Sequence, residues 1–424
     1  MAETRTGKGD GTLGWLRERN RERVIGVLRT QGRTSQADIA RATGLSRTTI
    51  SSLVAELKSS SLVFEVDGKG PSIRGGRPGV QLVLQDSSSA VIGIDFGHSH
   101  VLVAVADIAH NVLAERRCDL DVDHNAGEAL DASARMAVEV LEEAGIQRQN
   151  VIGAGIGIPG PVDRARGTVG SATILPGWLG LQIGVELEKR LGFPVEIEND
   201  ANLGALAELT WGSGRGCTNF AYIKAATGVG AGLVVDGRLL RGASGTAGEI
   251  GHTTLDESGA LCYCGNRGCL ETVASGPAIL RLVSGDDGES LTLGGVIELA
   301  AQGNLRCRRA ISDAGREIGV AVAGLCNLIN PERIVVGGLL SRAGDLLLQP
   351  IRESIRRYTV LAAAECVDVV PATFVERAEL LGALALTIRR SQSSPLAGEV
   401  APKGPEGAFR RAATEVRESS TETA

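Results

Sequence analysis

The sequence predicts an α/β protein with a small, mostly helical module in front of its main body, and three observations lead to this class. From about Ala90 onward, strand-like and helix-like segments alternate. A pair of strand patterns, AVIGIDFG with HVLVAVADI, is repeated about 125 residues later by NFAYIKAATG with VGAGLVVDGRLL, which predicts two related lobes around a cleft. Residues 1–84 hold fourteen Lys or Arg against eight Asp or Glu, a net charge of +6 in a chain whose total is −6. A basic module is therefore attached to an acidic body.

The composition is that of an ordinary globular protein, with a hydrophobic fraction of 43%. No segment approaches the roughly 18 apolar residues that a membrane-spanning helix needs, and the start MAETRTGKGDG lacks the apolar core of a signal peptide. We therefore expect a cytoplasmic protein without a membrane partner. Residues 1–13 and 391–424 are expected to be disordered. The cysteines expected to be buried apolar fillers rather than disulfide partners are Cys118, Cys217, Cys307, Cys326 and Cys366.

Three predicted helices open the chain. The first, in LGWLRERNRERVIGVLRTQG, has apolar residues at helical spacing and ends at Gly32. The second begins at Ser35, whose hydroxyl can cap it while an aspartate three residues later completes a capping box, and ends at Gly44. Ser46 caps the third. The inner face of this third helix is predicted to consist of Ile50, Leu53, Val54 and Leu57.

Two strand-like segments follow around a loop rich in Gly and basic residues, in LVFEVDGKGPSIRGGRPGVQLVLQ. This pattern predicts a wing, so residues 14–85 are expected to form a winged helix-turn-helix domain. Through this domain we expect the cytoplasmic protein to associate with the nucleoid. In this motif the start of the recognition helix reaches base edges, and wing arginines enter the narrow minor groove. The residues expected to contact DNA are Ser46, Arg47, Thr48, Thr49, Ser51, Arg74 and Arg77. The alternative is a three-helix bundle without a DNA role, and the local positive charge favours DNA binding.

A cysteine-rich segment, EIGHTTLDESGALCYCGNRGC, predicts a metal site. The spacing Cys-x-Cys-x4-Cys, with Gly265 and Gly268 allowing tight turns, can point three sulfurs inward, and a histidine upstream can supply a fourth ligand. The four expected ligands are His252, Cys262, Cys264 and Cys269. Three thiolates and one imidazole suit a structural tetrahedral Zn²⁺ site and leave no vacant position for a catalytic water. The alternative is a loop with three unliganded thiols.

Carboxylates border this cysteine segment. Glu249 precedes His252 by three residues and Glu271 follows the last cysteine by two. Ionised carboxylates accept strong hydrogen bonds from hydroxyl groups, and the second nitrogen of His252 can face the same ligand, so the set suits a sugar. Asn199 and Asp200, between a strand and a helix, can serve as helix caps, but the neighbouring zinc loop favours a place in the ligand site.

At this point the motifs resemble those of the ROK family of bacterial sugar kinases and sugar-responsive repressors. They are GIDFG (93–97), GIGIPGPVD (155–163), IENDAN (197–202), GVGAGLVVDGRLLRGASGTAGEIGH (228–252), CYCGNRGCLE (262–271) and IVVGGLLS (334–341). The resemblance covers roughly residues 90–390. It implies a two-lobed actin-like ATPase fold of the ribonuclease H type, structural zinc, and hexose binding by Asn199, Asp200, Glu249, His252 and Glu271.

The resemblance leaves open whether the chain is an enzyme. In the family's kinases the aspartate matching Asp200 is the general base, and the first phosphate loop reads Asp-x-Gly-Gly-Thr-Lys. Here DFGHSH places His98, Ser99 and His100 in that loop, and Ala226 replaces a usual glycine in the second. These changes disfavour close approach of phosphates. We therefore expect no catalytic residue. If kinase activity persists, Asp200 would be the catalytic residue, and ATP with Mg²⁺ would be the cofactors. The residues expected to retain a vestigial nucleotide site are Asp95, Gly97, Thr227, Gly228, Gly337 and Gly338.

The leading hypothesis is a repressor of carbohydrate-utilisation genes whose affinity for double-stranded operator DNA changes when a sugar or sugar phosphate binds. A homodimer or homotetramer would place two recognition helices on two half-sites. Two alternatives remain. One is an ATP-dependent hexose kinase that carries its own DNA-binding domain, and the other is a repressor that binds no sugar and is displaced by a transport protein.

Overall fold

A computed structural model describes residues 11–59, 63–66, 80–84, 89–163, 167–169, 174–284 and 291–393. The helices in this part of the chain are α1 (Gly11–Gln31), α2 (Gln36–Thr43), α3 (Arg47–Ser59), α4 (Ala126–Glu143), α5 (Ile183–Leu191), α6 (Asp200–Thr210), α7 (Glu271–Ala274), α8 (Gly276–Val283), α9 (Leu293–Ala301), α10 (Leu305–Ile329), α11 (Asp345–Tyr358), α12 (Leu361–Cys366) and α13 (Ala378–Ser393). The strands are β1 (Val63–Val66), β2 (Gln81–Leu84), β3 (Ala90–Phe96), β4 (His100–Asp107), β5 (Val112–Asp119), β6 (Val151–Ile158), β7 (Val162–Asp163), β8 (Thr168–Val169), β9 (Val195–Asn199), β10 (Phe220–Ala225), β11 (Val229–Val235), β12 (Arg238–Leu240), β13 (Arg333–Gly337) and β14 (Asp368–Pro371).

The first three helices and two strands form the predicted winged helix-turn-helix. The N–H of Asp38 donates to the Ser35 hydroxyl at 3.2 Å, and the Ser35 hydroxyl donates to the Asp38 carboxylate at 2.6 Å, so α2 is capped as expected. It ends at Gly44, whose φ of 69° is left-handed. The N–H of Thr49 donates to the Ser46 hydroxyl at 3.1 Å and caps α3.

The core of this module lies between the three helices and the hairpin of β1 and β2. These strands pair antiparallel, and the predicted inner face of α3 is buried. Arg74 and Arg77, expected in the wing, lie outside the described residues. Helix α1 begins at Gly11 and α13 ends at Ser393, so residues 11–13 and 391–393 are helical although they were expected to be disordered, because sequence patterns locate helix ends only to within a few residues.

Two five-stranded sheets with the same topology form the body, which confirms the mixed α/β class with two lobes. The first has the order β5-β4-β3-β6-β9 and the second the order β12-β11-β10-β13-β14. In each sheet, three strands pair antiparallel and two further strands join parallel to the first of them. The repeated strand pair in the sequence is therefore the start of each lobe.

Helices α6 and α13 cross between the lobes. Helix α13 returns from the second lobe to cover β3 and β6 of the first, while α6 packs on β10 and β11 of the second. The approach is close because glycines lie at the contacts. A Cβ on Gly155 would be 2.1 Å from the Ala383 carbonyl oxygen, and one on Gly382 would be 2.0 Å from that of Leu203, so only glycine fits at either position.

The scattered cysteines are free thiols in this structure. Cys217, Cys307 and Cys326 are buried as expected, and Cys118 is half-buried. The expectation is wrong for Cys366, which is exposed at the end of the short helix α12. Among the helices of the described ranges, none is long and apolar enough to cross a membrane.

Candidate functional site

A cleft of about 990 Å³ lies between the lobes. One part, which we call the loop end, is lined by the turn 97–100 after β3 together with Asp95, Asp123, Lys224 and Glu379. The other part, which we call the cluster end, is lined by Glu249, His252, Tyr263 and Glu271. Asn199 and Asp200 also line the cleft. The edges of both sheets and the start of α6 therefore meet at one opening.

The four predicted metal ligands come together beside the cluster end. Their ligand atoms all lie within 4.8 Å of one another. The Sγ atoms of Cys264 and Cys269 are 3.7 Å apart, and Cys262 Sγ is 3.7 Å from His252 Nδ1. Two sulfurs bound tetrahedrally at about 2.3 Å from one Zn²⁺ would be about 3.8 Å apart. The set therefore fits a metal ion, with Nδ1 as the imidazole nitrogen on the metal side.

Glycines place this segment against β11. A Cβ on Gly248 would lie 1.9 Å from the Ala231 carbonyl oxygen, and one on Gly251 would lie 2.2 Å from that of Val229. In the cysteine loop, Gly265 and Gly268 have φ values of +95° and +62°, which glycine adopts readily. The pattern GEIGH followed by the cysteine loop thus lets the backbone turn tightly and presents its side chains to the cleft.

Two carboxylates face each other across His252 at the cluster end. Oxygens of Glu249 and Glu271 each lie 3.8 Å from His252 Nε2, so this nitrogen points away from the cysteines and towards the cleft. Burial, with the nearby charges of Asp200 and Glu271, raises the pKa of Glu249 to about 7. Burial also raises the pKa of Glu271 and lowers that of His252, which favours the neutral imidazole that a metal ion requires.

Tyr263, which the sequence reasoning missed, completes this end. Its hydroxyl donates to Glu271 Oε2 at 2.9 Å and lies 3.1 Å from His252 Nε2. The phenol therefore occupies the polar atoms that were predicted to meet a ligand hydroxyl. The only sequence signal is its place between two cysteine ligands.

Asn199 has the predicted capping role, and both Asn199 and Asp200 line the cleft. The Asn199 side chain accepts from the Asn202 N–H at 3.2 Å and so caps α6, while its amide donates to the Gly160 carbonyl at 3.0 Å. Asp200 Oδ1 accepts from the Ala201 N–H at 2.7 Å. Asp200 also lines the cleft, so its bond to the helix backbone does not exclude a role there.

Lys224 is the second residue that the sequence reasoning missed. Its ammonium donates to Asp200 Oδ2 at 2.9 Å and lies 2.7 Å from Glu379 Oε1. Burial alone would lower the pKa of Lys224, but the attraction of Asp200 and Glu379 outweighs it and raises this pKa well above its usual value. The signal in the sequence is a lysine within the otherwise apolar strand FAYIKA, opposite a glutamate in the apolar start of α13.

The first phosphate loop is occupied by the chain's own side chains. His98 Nδ1 lies 2.8 Å from Asp123 Oδ1, and His100 Nε2 lies 3.5 Å from Asp95 Oδ2. A Cβ on Gly97 would be 2.3 Å from the His100 ring, so this imidazole lies directly over the loop backbone.

The other predicted nucleotide residues divide into two groups. Thr227, Gly228 and Gly338 line the cleft, and a Cβ on Gly228 would lie 2.8 Å from Glu271 Oε1. Gly337 does not line it. Its backbone packs on the Tyr222 phenol, 2.4 Å from where a Cβ would stand, because β13 runs beside β10 in the sheet.

The predicted DNA-contacting residues of α3 lie on the surface of the winged module. Ser46, Arg47, Thr48 and Ser51 are exposed and Thr49 is half-buried. The Ser46 hydroxyl lies within 2.9 Å of the hydroxyls of Thr48 and Thr49, so these three side chains form one polar group at the start of the helix.

Sequence comparison matches both parts of the chain to known families. Residues 91–390 match the profile described as "ROK family", and residues 17–63 match that described as "Winged helix-turn-helix DNA-binding". The xylose repressor of Caldicellulosiruptor bescii is 30% identical over 400 residues, which cover 91% of this chain and 99% of that protein.

A solved structure and an enzyme extend the comparison. The crystal structure of a ROK family transcriptional regulator, a homologue of the E. coli MLC protein, superposes with a TM-score of 0.70 at 28% identity, covering 89% of this chain and 97% of the other. The glucokinase of Thermotoga maritima is 32% identical over 317 residues, covering 71% of this chain and 98% of that enzyme. Both a repressor and a kinase thus share the body.

Proposed function

The chain belongs to the ROK family, and we propose that it is a transcriptional repressor of carbohydrate-utilisation genes that responds to a sugar or sugar phosphate. The observation that carries the proposal is one chain that joins a winged helix-turn-helix to a cleft with hydroxyl-accepting carboxylates. The similarity to a xylose repressor over 91% of the chain supports it. The body supplies ligand recognition and the module supplies DNA recognition.

The ligand binds between the cluster end and the start of α6, at the five residues predicted from the sequence: Asn199, Asp200, Glu249, His252 and Glu271. Their shared feature is a side-chain oxygen or imidazole nitrogen on a residue that lines one cleft. A sugar offers several adjacent hydroxyl donors, and hydrogen bonds to charged acceptors are stronger than neutral ones. This arrangement supports a polyhydroxylated ligand.

The metal ion held by His252 and the three cysteines is proposed to be structural Zn²⁺. Thiolate ligands favour zinc over magnesium or calcium, and four protein ligands complete a tetrahedral site. When bound, the ion supplies rigidity to the loop 249–271. The chain's own residues then hold Glu249, His252 and Glu271 in position for the ligand.

DNA recognition is assigned to the exposed start of α3, in a homodimer or homotetramer that places two modules on two half-sites. Arg47 is the basic residue at that position. Arg47→Ala should weaken operator binding by about 1–3 kcal/mol, the usual value of a base contact, as measured by fluorescence anisotropy. An equal loss on random DNA would show that Arg47 contacts only phosphates.

A hexose kinase is the second candidate, because Asp95, Asp200 and Gly228 still line the cleft and a glucokinase shares the body. The ion pair of Asp200 with Lys224 and the His100 ring over Gly97 oppose it. The discriminating assay is ADP release with ATP, Mg²⁺ and a panel of hexoses. Turnover of about 1 per second or faster, as kinases show, would establish the enzyme.

The test of the main proposal is a thermal-stability screen of the zinc-loaded protein against sugars and sugar phosphates. A ligand that binds the folded state raises its melting temperature. We expect at least one sugar to do so and the same sugar to change operator affinity about 5- to 150-fold, which corresponds to a coupling of about 1–3 kcal/mol. If every sugar leaves both quantities unchanged while operator binding is intact, the proposal fails in favour of a repressor controlled by a protein partner.

A further inference from the structure

The Lys224 side chain contacts the first turns of two helices, α6 and α13. Lys224, on β10 of the second lobe, bonds to Asp200, the first residue of α6, at 2.9 Å. It also pairs at 2.7 Å with Glu379, in the first turn of α13. Both carboxylates are largely withdrawn from solvent, and the Glu379 side chain is 7% exposed. The lysine thus attaches both helices to the second lobe at the ligand cleft.

The two helices then run side by side as one unit. Leu203 and Leu206 of α6 pack on Ala383, Ala385 and Leu386 of α13 in one apolar cluster. Their backbones touch at Gly382, where a Cβ would be 2.0 Å from the Leu203 carbonyl oxygen. Close-packed helices of this kind transmit displacement because protein interiors have little free volume to absorb it.

The far ends of both helices lie under the DNA-binding module. A cavity of about 600 Å³ separates that module from the body. Its walls include Arg23 and Thr43 from α1 and α2, Trp211 from the end of α6, and Arg389 from the end of α13. The helices that begin at the ligand cleft therefore end at the junction with the winged helix-turn-helix.

We propose that Lys224 is the residue that couples the ligand cleft to the DNA-binding module through the α6–α13 pair. The inference rests on the proposed function, because it concerns how the same cleft is read out. A ligand hydroxyl that donates to Asp200 acts on the carboxylate that Lys224 holds, and so alters the attachment of α6. Since α6 and α13 are packed together, their far ends shift as one against the module.

The first test needs no ligand. Hydrogen–deuterium exchange is measured on the full-length, zinc-loaded protein and on Lys224→Met, which keeps the chain length and removes the charge. We expect exchange to rise at least about tenfold in residues 207–211 and 386–390, at the far ends of the two helices. The matched control is Lys189→Met, which removes an exposed lysine paired with Glu186 on α5 and should leave both segments unchanged. A change confined to residues 200–203, or none, overturns the proposal.

The second test measures operator affinity without sugar and at saturating sugar, so that a change in sugar affinity alone cannot alter the ratio. We expect Lys224→Met to bring the ratio close to 1, while Lys189→Met keeps the value of the unmodified protein. An unchanged ratio in Lys224→Met overturns the proposal. If no sugar changes the ratio in the unmodified protein, the proposed function fails, and the exchange experiment still decides whether Lys224 couples the two ends.

Glu379→Gln provides a second variant if Lys224→Met does not fold. It keeps the shape of the side chain and removes one of the two ion pairs of Lys224. The same segments should then exchange faster and the ratio should fall, both by less than in Lys224→Met. If a folded Glu379→Gln protein shows the exchange rates and the operator-affinity ratio of the unmodified protein, the ion pair between Lys224 and α13 has no part in the coupling.

Discussion

The two ends of the cleft treat their carboxylates in opposite ways. At the loop end, Asp123 is paired with His98, Asp95 with His100, and Asp200 and Glu379 share Lys224. At the cluster end, within the part of the chain that the structure describes, no Lys or Arg pairs with Glu249 or Glu271, and a tyrosine hydroxyl is bound instead. Asp200 and Glu379 already hold the Lys224 ammonium and so offer little to a metal–nucleotide complex, whereas a carboxylate without a cation readily accepts a hydroxyl. In a cleft of the kind that repressors and kinases share, the chain's own side chains thus occupy the loop end, which favours the proposed repressor over the kinase.

The largest effect is expected from Cys264→Ser, which removes one of the four proposed metal ligands beside the cluster end. Removing one thiolate from a four-ligand site should lower bound zinc from about one ion per chain to near zero, because no spare ligand replaces it. Elemental analysis measures this directly, and the sugar-induced rise in melting temperature should disappear with the zinc. Cys366→Ser, at an exposed free thiol, is the control. Full zinc content in Cys264→Ser would remove Cys264 from the ligand set.

Glu249→Ala tests whether the cluster end binds the ligand. Above pH 7, where Glu249 is ionised, losing a hydrogen bond to this charged acceptor costs about 1.5–3 kcal/mol, so sugar affinity should fall roughly 10- to 150-fold by isothermal titration calorimetry. Operator affinity without sugar should stay within about twofold, since Glu249 lies in the cleft and not on the winged module. Undiminished sugar affinity would show that the ligand binds at the loop end rather than at the cluster end.

Tyr263→Phe tests the same end of the cleft with a smaller change, the removal of one hydroxyl group. The phenol hydroxyl occupies Glu271 and lies beside His252, so a ligand hydroxyl must replace it. Deleting this hydroxyl should tighten sugar binding by up to about fivefold, the equivalent of one hydrogen bond of about 1 kcal/mol. Weaker binding in the titration would instead make Tyr263 a direct ligand contact.

The smallest effect is expected at the loop end from His100→Ala. The imidazole lies over Gly97 and beside Asp95 and is not one of the proposed sugar-binding residues, so sugar affinity should change by less than about twofold. ADP release should not rise above that of the unmodified protein, because Lys224 still holds Asp200. A kinase rate that emerges in His100→Ala would mean that this ring alone blocks the reaction.

Much of the fold could be predicted from local patterns. Ser35 with Asp38, and Gly44 after the second helix, mark the boundaries of α2 because capping involves residues only a few positions apart. The strand pair that starts each lobe could be recognised because alternating strands and helices at a repeated spacing are visible in the chain. The metal cluster could be predicted for the same reason, since its three cysteines lie within eight residues of sequence.

The sequence alone therefore specified the helices and strands of the winged module, the likeness of the two lobes, and the clusters of functional residues that lie close together in the chain. The ion-pair partners of single charged residues depend on the tertiary structure. Lys224 bonds to Asp200 across 24 positions and to Glu379 much farther along the chain. The tertiary structure also moved Gly337 from the nucleotide loop to a packing contact with Tyr222 and placed Tyr263 in the cleft. The physical reason is that capping and turn geometry act between neighbours in the chain, whereas burial pairs charges wherever the packed lobes bring them together.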